Sequence, residues 1–207
     1  MCGRYQVDNE QIREKMQWII DEINREYGPD SGLRTGEIFP TNIAPVVTSD
    51  GPAPMAWGFL WTNRDGKAIN TINARSKDAA DKWMFAKPLA EKRLVVPTSG
   101  FFEWSHEGKK AVDKYLFRLP DEPILYLAGI WNQFDTPNGR TNRFTIMTTA
   151  ANESMSPFHD RMPVYIAEKE QEEWLHNRRF ADVVLRRKQP QLEATKVEKP
   201  MEQMSLF

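Results

Sequence analysis

The sequence contains a single cysteine, and several features that mark common protein classes are missing from it. One cysteine cannot form an internal disulfide, which excludes a disulfide-stapled scaffold and fits a reducing compartment. No apolar stretch approaches the ~20 residues that a bilayer-spanning helix needs. The N-terminus has no charged segment followed by an apolar run, which is the pattern of a secretory signal. We therefore expect a cytoplasmic protein with no membrane segment.

Metal-ligand and phosphate-loop patterns are also missing. One cysteine and three scattered histidines do not form a metal-ligand set, and no glycine-rich phosphate loop is present. We therefore expect no metal and no cofactor. The formal net charge is −1, from 28 basic and 29 acidic residues, so it neither indicates nor excludes a polyanionic partner. Any site for such a partner has to be a local basic patch.

The hydrophobic content is high enough for a sizeable core. The chain has 207 residues, of which 40% are hydrophobic, and it contains 7 Trp and 11 Phe. That length suits one large domain or two small ones. Helical hydrophobic spacing predicts a first helix over 8–27 with Asp8 as its N-cap. The same spacing predicts further helices over 77–92, broken near Pro88, and over 167–177 and 180–187.

Strand patterns dominate the middle of the chain. Short segments rich in branched and aromatic residues predict strands over 94–97, 100–104, 114–119, 124–131 and 143–149. Helices that flank many strands predict an α+β fold, a single domain with a β-barrel-like curved mixed sheet. We place this domain at residues 1–187. Residues 188–207 are polar and contain two prolines, which predicts a flexible C-terminal tail.

Cys2 lies directly behind the initiator methionine, a position with chemical meaning. After removal of Met1, this residue would carry an amine and a thiol on neighbouring carbons, with reference pKa values of roughly 8 and 8.5. Both groups can then be partly nucleophilic near neutral pH. The amine condenses with an aldehyde to an imine, and the thiol closes a five-membered thiazolidine ring. The alternative, that Cys2 is an incidental residue on a frayed terminus, stays open at this point.

Other polar residues stand in unusual surroundings. Glu103 lies in an otherwise apolar strand, where it either faces solvent by simple alternation or occupies an apolar pocket with a raised pKa. Alternation favours the solvent-facing position. His159 lies between two prolines, which indicates a shaped loop. Asn73 and Arg75 close a predicted strand, and the simplest interpretation of them is a turn with a solvated charge.

Seven segments, taken in order, resemble the motifs of the SOS response-associated peptidase family. They are MCGRY (1–5), PTNIAPV (40–46), WGF (57–59), INARS (72–76), GFFEW (100–104), LAGIW (127–131) and HDRMPV (159–164). The resemblance runs from residue 2 to about residue 176. It implies a single α+β domain with a barrel-like core and a positively charged cleft. Members of this family recognise abasic sites in single-stranded DNA and link to them covalently through the N-terminal cysteine.

The resemblance implies catalytic roles for four residues. Cys2 matches the nucleophile, which becomes the N-terminus when Met1 leaves, by autocatalysis in this interpretation. Asn73 matches the asparagine that orients the cysteine and the sugar. Glu103 matches the carboxylate that handles the protons of the amine and the sugar hydroxyl. His159 matches the histidine that assists ring opening and reversal of the crosslink.

The same resemblance implies a DNA path. Arg4, Arg75 and Arg161 match arginines that line it, and Thr149 lies near the site. Trp104 offers an aromatic face on which a base can stack. We expect a monomer whose partner is single-stranded DNA with abasic sites, and which associates with the nucleoid when it acts there.

Two rival functions remain open on the sequence alone. The first is an N-terminal-nucleophile cysteine amidohydrolase, such as a glutamine amidotransferase, because such chains can also begin MCG. The second is a non-enzymatic RNA- or protein-binding module in which Cys2 has no role. A proteolytic activity is expected only for the release of Met1.

The last residues form an apolar cluster. QMSLF (203–207) resembles the motif that binds the bacterial sliding clamp, with Gln203, Met204, Leu206 and Phe207 as the contacting residues. The alternative is that this segment folds back onto the domain. The sequence therefore predicts the clamp as a further partner.

Overall fold

The computed structural model describes residues 2–7, 13–108, 110–137 and 139–198. Within them lie fifteen strands, four α-helices and short 3₁₀ turns at Ala79–Asp81 and Glu168–Glu170. The helices are α1 (Arg13–Tyr27), α2 (Trp83–Glu91), α3 (Gln171–His176) and α4 (Arg178–Val184). The strands are β1 (Arg4–Val7), β2 (Gly36–Ile38), β3 (Ile43–Thr48), β4 (Gly51–Trp57), β5 (Phe59–Thr62), β6 (Ala68–Thr71), β7 (Asn73–Arg75), β8 (Arg93–Thr98), β9 (Gly100–Glu107), β10 (Lys110–Arg118), β11 (Leu125–Thr136), β12 (Gly139–Ala150), β13 (Arg161–Pro163), β14 (Tyr165–Ile166) and β15 (Glu193–Lys196).

A closed five-stranded barrel forms the centre of the molecule. Its strands run in the order β12, β4, β3, β8 and β11, and β11 pairs back with β12 to close the ring. The β12–β4 pair is parallel and the other pairs are antiparallel, so the sheet is mixed. Large side chains such as Phe144, Ile146 and Leu94 are completely buried. The predicted α+β fold with a barrel-like mixed sheet is confirmed.

A second, antiparallel sheet brings the N-terminus to the barrel. Its strand order is β15, β10, β9, β1 and β2. The chain passes from β8 of the barrel into β9 of this sheet at Ser99. At that corner the Thr98 hydroxyl donates a 2.6 Å hydrogen bond to the Gln6 carbonyl, and the Ser99 N–H donates to the same oxygen at 2.9 Å. The corner therefore fixes β1 against the barrel.

The helices lie close to the ranges that hydrophobic spacing predicts, with one difference. Met16, Ile19 and Ile23 of α1 are buried, as the helical spacing predicts, while Asp8 lies outside the described residues. Pro88 does not break α2. The Lys92 N–H donates to the Pro88 carbonyl at 2.7 Å, and the proline itself is buried. The discontinuity falls instead at Lys82, between the 3₁₀ turn and α2.

Residues 188–198 differ from the predicted flexible tail. Gln189 is buried, and its Oε1 accepts a 2.8 Å hydrogen bond from the Tyr165 N–H. Four residues further on, β15 pairs with β10. All side chains of β15 are exposed, so its composition resembles a tail while its backbone holds it in the sheet. The predicted clamp-binding residues 203–207 lie outside the described part, and that prediction stays a prediction.

Among the described residues, no helix has the length and apolar character that crossing a bilayer needs.

Candidate functional site

Cys2 is buried at the junction of the two sheets. Its side chain is 1% exposed, and its Sγ lies 3.6 Å from the Arg4 carbonyl oxygen, to which it donates a weak hydrogen bond. The Cys2 carbonyl accepts a 3.0 Å hydrogen bond from Asn73 Nδ2. Asn73 is positioned by β7, which pairs in parallel with β12 of the barrel. An incidental residue on a frayed terminus would not be enclosed in this way.

The surroundings of the Cys2 thiol favour its protonated form. Burial raises the pKa of the thiol well above its usual value, and the nearby Glu103 carboxylate raises it further. The expectation of a partly ionised thiol concerns the chain without Met1 and stays a prediction, whereas in the chain that carries Met1 the thiol is held in its protonated form. The physical reason is that a thiolate here would lose its hydration and face another negative charge.

Glu103 is buried rather than solvent-facing. It lies on β9, is 4% exposed, and acts electrostatically on both Cys2 and His159. Successive side chains of a strand point to opposite faces, so Glu103 shares its face with Phe101 and Tyr5. That face is covered by the loop that contains Phe158, whose ring packs 5.0 Å from Phe117. Alternation alone misassigned Glu103 because both faces of this sheet are partly covered.

His159 has its ring oriented by the main chain. The Arg161 N–H donates a 3.1 Å hydrogen bond to Nδ1 of the imidazole, while Asp160 Oδ1 lies 2.7 Å from the same nitrogen. A neutral Nδ1 can accept from the amide but cannot donate to the carboxylate at the same time. Burial lowers the pKa of His159, although Glu103 and Asp160 act in the opposite direction. A protonated Nδ1 would pair with Asp160 instead, so the amide and the carboxylate favour different protonation states of this nitrogen.

Arg161 and Arg75 form a positive edge beside this loop. Arg161 donates hydrogen bonds to the Thr148 carbonyl at 2.7 Å and to the Thr148 hydroxyl at 2.8 Å. Burial lowers the pKa of Arg161, and the positive charge of Arg75 lowers it further, so the two guanidinium groups are neighbours. Thr149, the predicted residue, instead lines a cavity with Arg186. Thr148 is a contact that the sequence analysis missed.

Arg4 and Trp104 lie on the opposite face of the second sheet from Glu103. Arg4 is opposite Phe102 in the register, and its guanidinium carbon lies 5.3 Å from the centre of the Trp104 ring. The predicted site residues therefore separate into two groups. The first group lies around the buried Cys2 thiol and consists of Asn73, Glu103 and His159. The second group, Arg4 and Trp104, lies on the other face of the sheet.

Tyr5 is a further buried polar residue that the sequence analysis did not single out. Its hydroxyl and the Oδ1 of Asn73 are both enclosed and have no hydrogen-bond partner among the described residues. The Tyr5 ring packs edge-on against Trp57, with 5.0 Å between ring centres. Burial, followed by the proximity of Cys2, raises the pKa of Tyr5, which keeps its hydroxyl protonated. The only available signal was the position of Tyr5 in the MCGRY segment.

A metal is not needed to explain this arrangement. The described residues contain no group of three or more His, Cys, Asp or Glu side chains that could hold a metal ion.

The fold and the site together define a class of protein, in which an N-terminal cysteine is enclosed by an α+β barrel beside a carboxylate and a histidine. The chain belongs to the SOS response associated peptidase (SRAP) family, whose model matches residues 1–204.

Two relatives of the chain are both named as abasic site processing proteins. The chain is 31% identical over 189 residues to abasic site processing protein YoqW of Bacillus subtilis, covering 85% of this chain and 80% of YoqW. It is 29% identical over 183 residues to abasic site processing protein YedK of Escherichia coli, covering 84% and 79% respectively.

Solved structures share the fold. An X-ray structure of a Bacteroides thetaiotaomicron protein superposes with a TM-score of 0.74 at 23% identity, covering 95% of this chain and 92% of the other. A Bordetella bronchiseptica protein gives 0.72 at 20% identity, covering 96% and 100%.

The state of the Cys2 thiol gives the first prediction. Iodoacetamide should alkylate Cys2 in the folded protein at pH 8 at least ~10-fold more slowly than in guanidinium, because the thiol is buried and its raised pKa leaves little thiolate. Glu103→Gln removes a charge that raises this pKa, so alkylation should accelerate by about threefold to tenfold.

Glu107→Gln is the matched control, because it removes the same charge from the exposed end of the same strand. Equal alkylation rates in the folded and unfolded protein would contradict the enclosed site. An equal acceleration by both substitutions would contradict a specific effect of Glu103.

Proposed function

We propose that this protein captures abasic sites in single-stranded DNA through a thiazolidine formed by Cys2 after Met1 has been removed. The observation that carries the proposal is the enclosure of the N-terminal Cys2 with Asn73, Glu103 and His159 around it. Family membership and the names of its relatives support the same lesion as substrate.

The chemistry proceeds in two bond-forming steps. An abasic deoxyribose is in equilibrium with an open-chain aldehyde. The α-amine of Cys2 adds to the aldehyde carbon, and loss of one water gives the imine. The thiol then adds its sulfur to the imine carbon while its proton passes to the nitrogen, which closes the ring. No oxidant or reductant is required, because the product is the sum of the reactants minus one water.

The protonated thiol suits the amine-first order. A thiol that stays neutral until the imine has formed does not attack the aldehyde as a thiolate. The amine therefore reacts with the aldehyde first. Proton transfer to the imine nitrogen makes the imine carbon a stronger electrophile, and Glu103 can relay the sulfur proton to that nitrogen. The Oδ1 of Asn73 is buried without a hydrogen-bond partner, and in the processed chain it could accept a hydrogen bond from the Cys2 amine.

Ring opening of the sugar needs a donor and an acceptor. In its protonated form His159 can donate the Nε2 proton to the ring oxygen and return to neutral imidazole, while a carboxylate removes the proton from the anomeric hydroxyl. Asp160, whose Oδ1 lies 2.7 Å from Nδ1, favours that protonated form. The same two groups, the imidazole and the carboxylate that acts on the hydroxyl, can run the steps in reverse and release the DNA.

The enclosure of Cys2 also supports selection of a lesion without a base. An abasic sugar lacks a base, so it needs less room beside the enclosed Cys2 than an intact nucleotide would. Arg75 and Arg161 form the neighbouring positive edge that phosphates on the strand can contact.

The identity of the nucleophile gives the second prediction. Wild-type protein incubated with abasic single-stranded DNA should give a heat-stable adduct on a denaturing gel. Cys2→Ala should give none without reductant, and borohydride should trap its imine because the amine remains. Cys2→Ser keeps the size of the side chain and should also need borohydride. A stable adduct of wild-type yield from Cys2→Ala would overturn the proposal.

Proton handling gives the third prediction. Glu103→Gln should slow adduct formation by roughly 10²-fold while it accelerates alkylation of the thiol, because only the first reaction needs a proton acceptor. His159→Gln should slow both formation and release of the adduct. Glu107→Gln should leave both rates unchanged. If Glu103→Gln forms adducts at the wild-type rate, Glu103 has no proton-transfer role.

A further inference from the structure

A charged cluster lies across the second sheet from the buried thiol. Glu37 of β2 reaches two cations at once: its Oε1 lies 3.1 Å from Arg4 Nη1, and its Oε2 lies 2.6 Å from Lys114 Nζ. We call these three residues the Glu37 cluster. Their side chains are 29%, 39% and 22% exposed for Glu37, Arg4 and Lys114 respectively, so each can still contact a ligand.

Aromatic rings surround the two cations. The Arg4 guanidinium lies 4.3 Å from the centre of the Phe39 ring and 5.3 Å from that of Trp104. Lys114 Nζ lies 3.8 Å from the centre of the Phe102 ring and 5.9 Å from that of Trp104. Trp104 thus lies beside both cations. Cations next to aromatic rings are an arrangement that binds single-stranded nucleic acid, with phosphate on the cations and a base on a ring.

The charge balance of the cluster is suited to one phosphodiester. Burial acts to raise the pKa of Glu37, but the hydrogen bonds from Lys114 and Arg4 outweigh it and hold that pKa below its usual value. Glu37 therefore stays ionised at neutral pH, and the cluster carries one net positive charge. The carboxylate occupies the position between the two cations that a phosphate would take.

Space for a nucleotide lies alongside. Arg4, Trp104 and Lys114 line a cavity of about 730 Å³, which also contains Lys196 and Asp113. Lys196 and Asp113 pair with each other at 2.8 Å and add no net charge, whereas Glu198, which also lines the cavity, adds one negative charge. The Glu37 cluster and the cavity together form a groove beside β1, the strand that directly follows Cys2.

We propose that this groove binds the nucleotide next to the lesion, with Lys114 and Arg4 sharing its phosphate, and that Glu37 holds the two cations until the phosphate displaces it. This inference rests on the proposed function, since it assigns part of the strand that Cys2 captures. In this proposal Lys114 contacts the DNA. The Glu37 carboxylate competes with the phosphate for the two cations and so weakens binding of the strand. Because Glu37 competes with the phosphate for the two cations, its effect should be seen in the affinity for the strand.

The test combines affinity, salt dependence and rate. Glu37→Gln should bind abasic-free single-stranded DNA about threefold to tenfold more tightly at low salt, with a salt slope steeper by about 0.7, which corresponds to one more phosphate contact. Lys114→Gln should bind more weakly by a similar factor, with a slope shallower by about 0.7. At subsaturating abasic DNA, crosslinking should follow these affinities, so Glu37→Gln should crosslink faster than wild type and Lys114→Gln more slowly.

Matched controls come from an exposed ion pair at the other end of β12. Arg140 and Asp135 pair at 3.2 Å with 66% and 86% exposure. Arg140 is ten residues from the site end of that strand, which is roughly 30 Å at the usual strand rise. Asp135→Asn changes the net charge as Glu37→Gln does, and Arg140→Gln matches Lys114→Gln. Both controls should leave affinity and slope within error of wild type.

The outcomes separate this inference from the proposed function. If wild type crosslinks but Glu37→Gln binds no more tightly than Asp135→Asn, or Lys114→Gln binds as well as Arg140→Gln, the groove is not part of the DNA path. If wild type never crosslinks, the proposed function fails instead, while the binding comparison still decides whether the groove takes a strand.

Discussion

The hydrogen bond from Asn73 to the Cys2 carbonyl joins the N-terminus to the barrel, and the rest of the site depends on it. Both residues are buried, so the unsatisfied groups left by its loss would be unfavourable by about 1–3 kcal/mol. Asn73 is held by the parallel pairing of β7 with β12, and Cys2 by the entry of the chain into β1. A terminus that usually frays is therefore held in one place.

Pairing within the second sheet then supplies the chemistry. β1 pairs with β9, which brings Glu103 to the face that also contains Tyr5. Burial of the thiol and the Glu103 carboxylate keep the sulfur protonated, while the Arg161 N–H and Asp160 both contact Nδ1 of His159. A neutral thiol, a carboxylate and an imidazole thus belong to one partly enclosed group. The opposite face of the same sheet places its cations and aromatic rings within reach of solvent.

The fold class and the residues around the thiol could be predicted from the sequence, but the burial and the contacts of those residues could not. Position 2 identified Cys2 because only an N-terminal residue has both reactive groups. Local pattern could not tell that Glu103 is buried, because that depends on the loop that covers β9. Likewise β15 has only exposed side chains, and its order comes from backbone pairing with a strand about 80 residues earlier. The bonds of Arg161 to Thr148 depend on the pairing of β13 with β12, which no local pattern encodes.

Intact-mass spectrometry of the protein after incubation with an abasic oligonucleotide, without reductant, tests the account most directly. Covalent capture through the α-amine and thiol of Cys2 predicts one new species, whose mass is that of the chain without Met1 plus the oligonucleotide minus one water. An adduct that retains Met1 would contradict the account, because its Cys2 nitrogen would still be in a peptide bond. The absence of any covalent species from a folded chain that begins at Cys2 would contradict it equally.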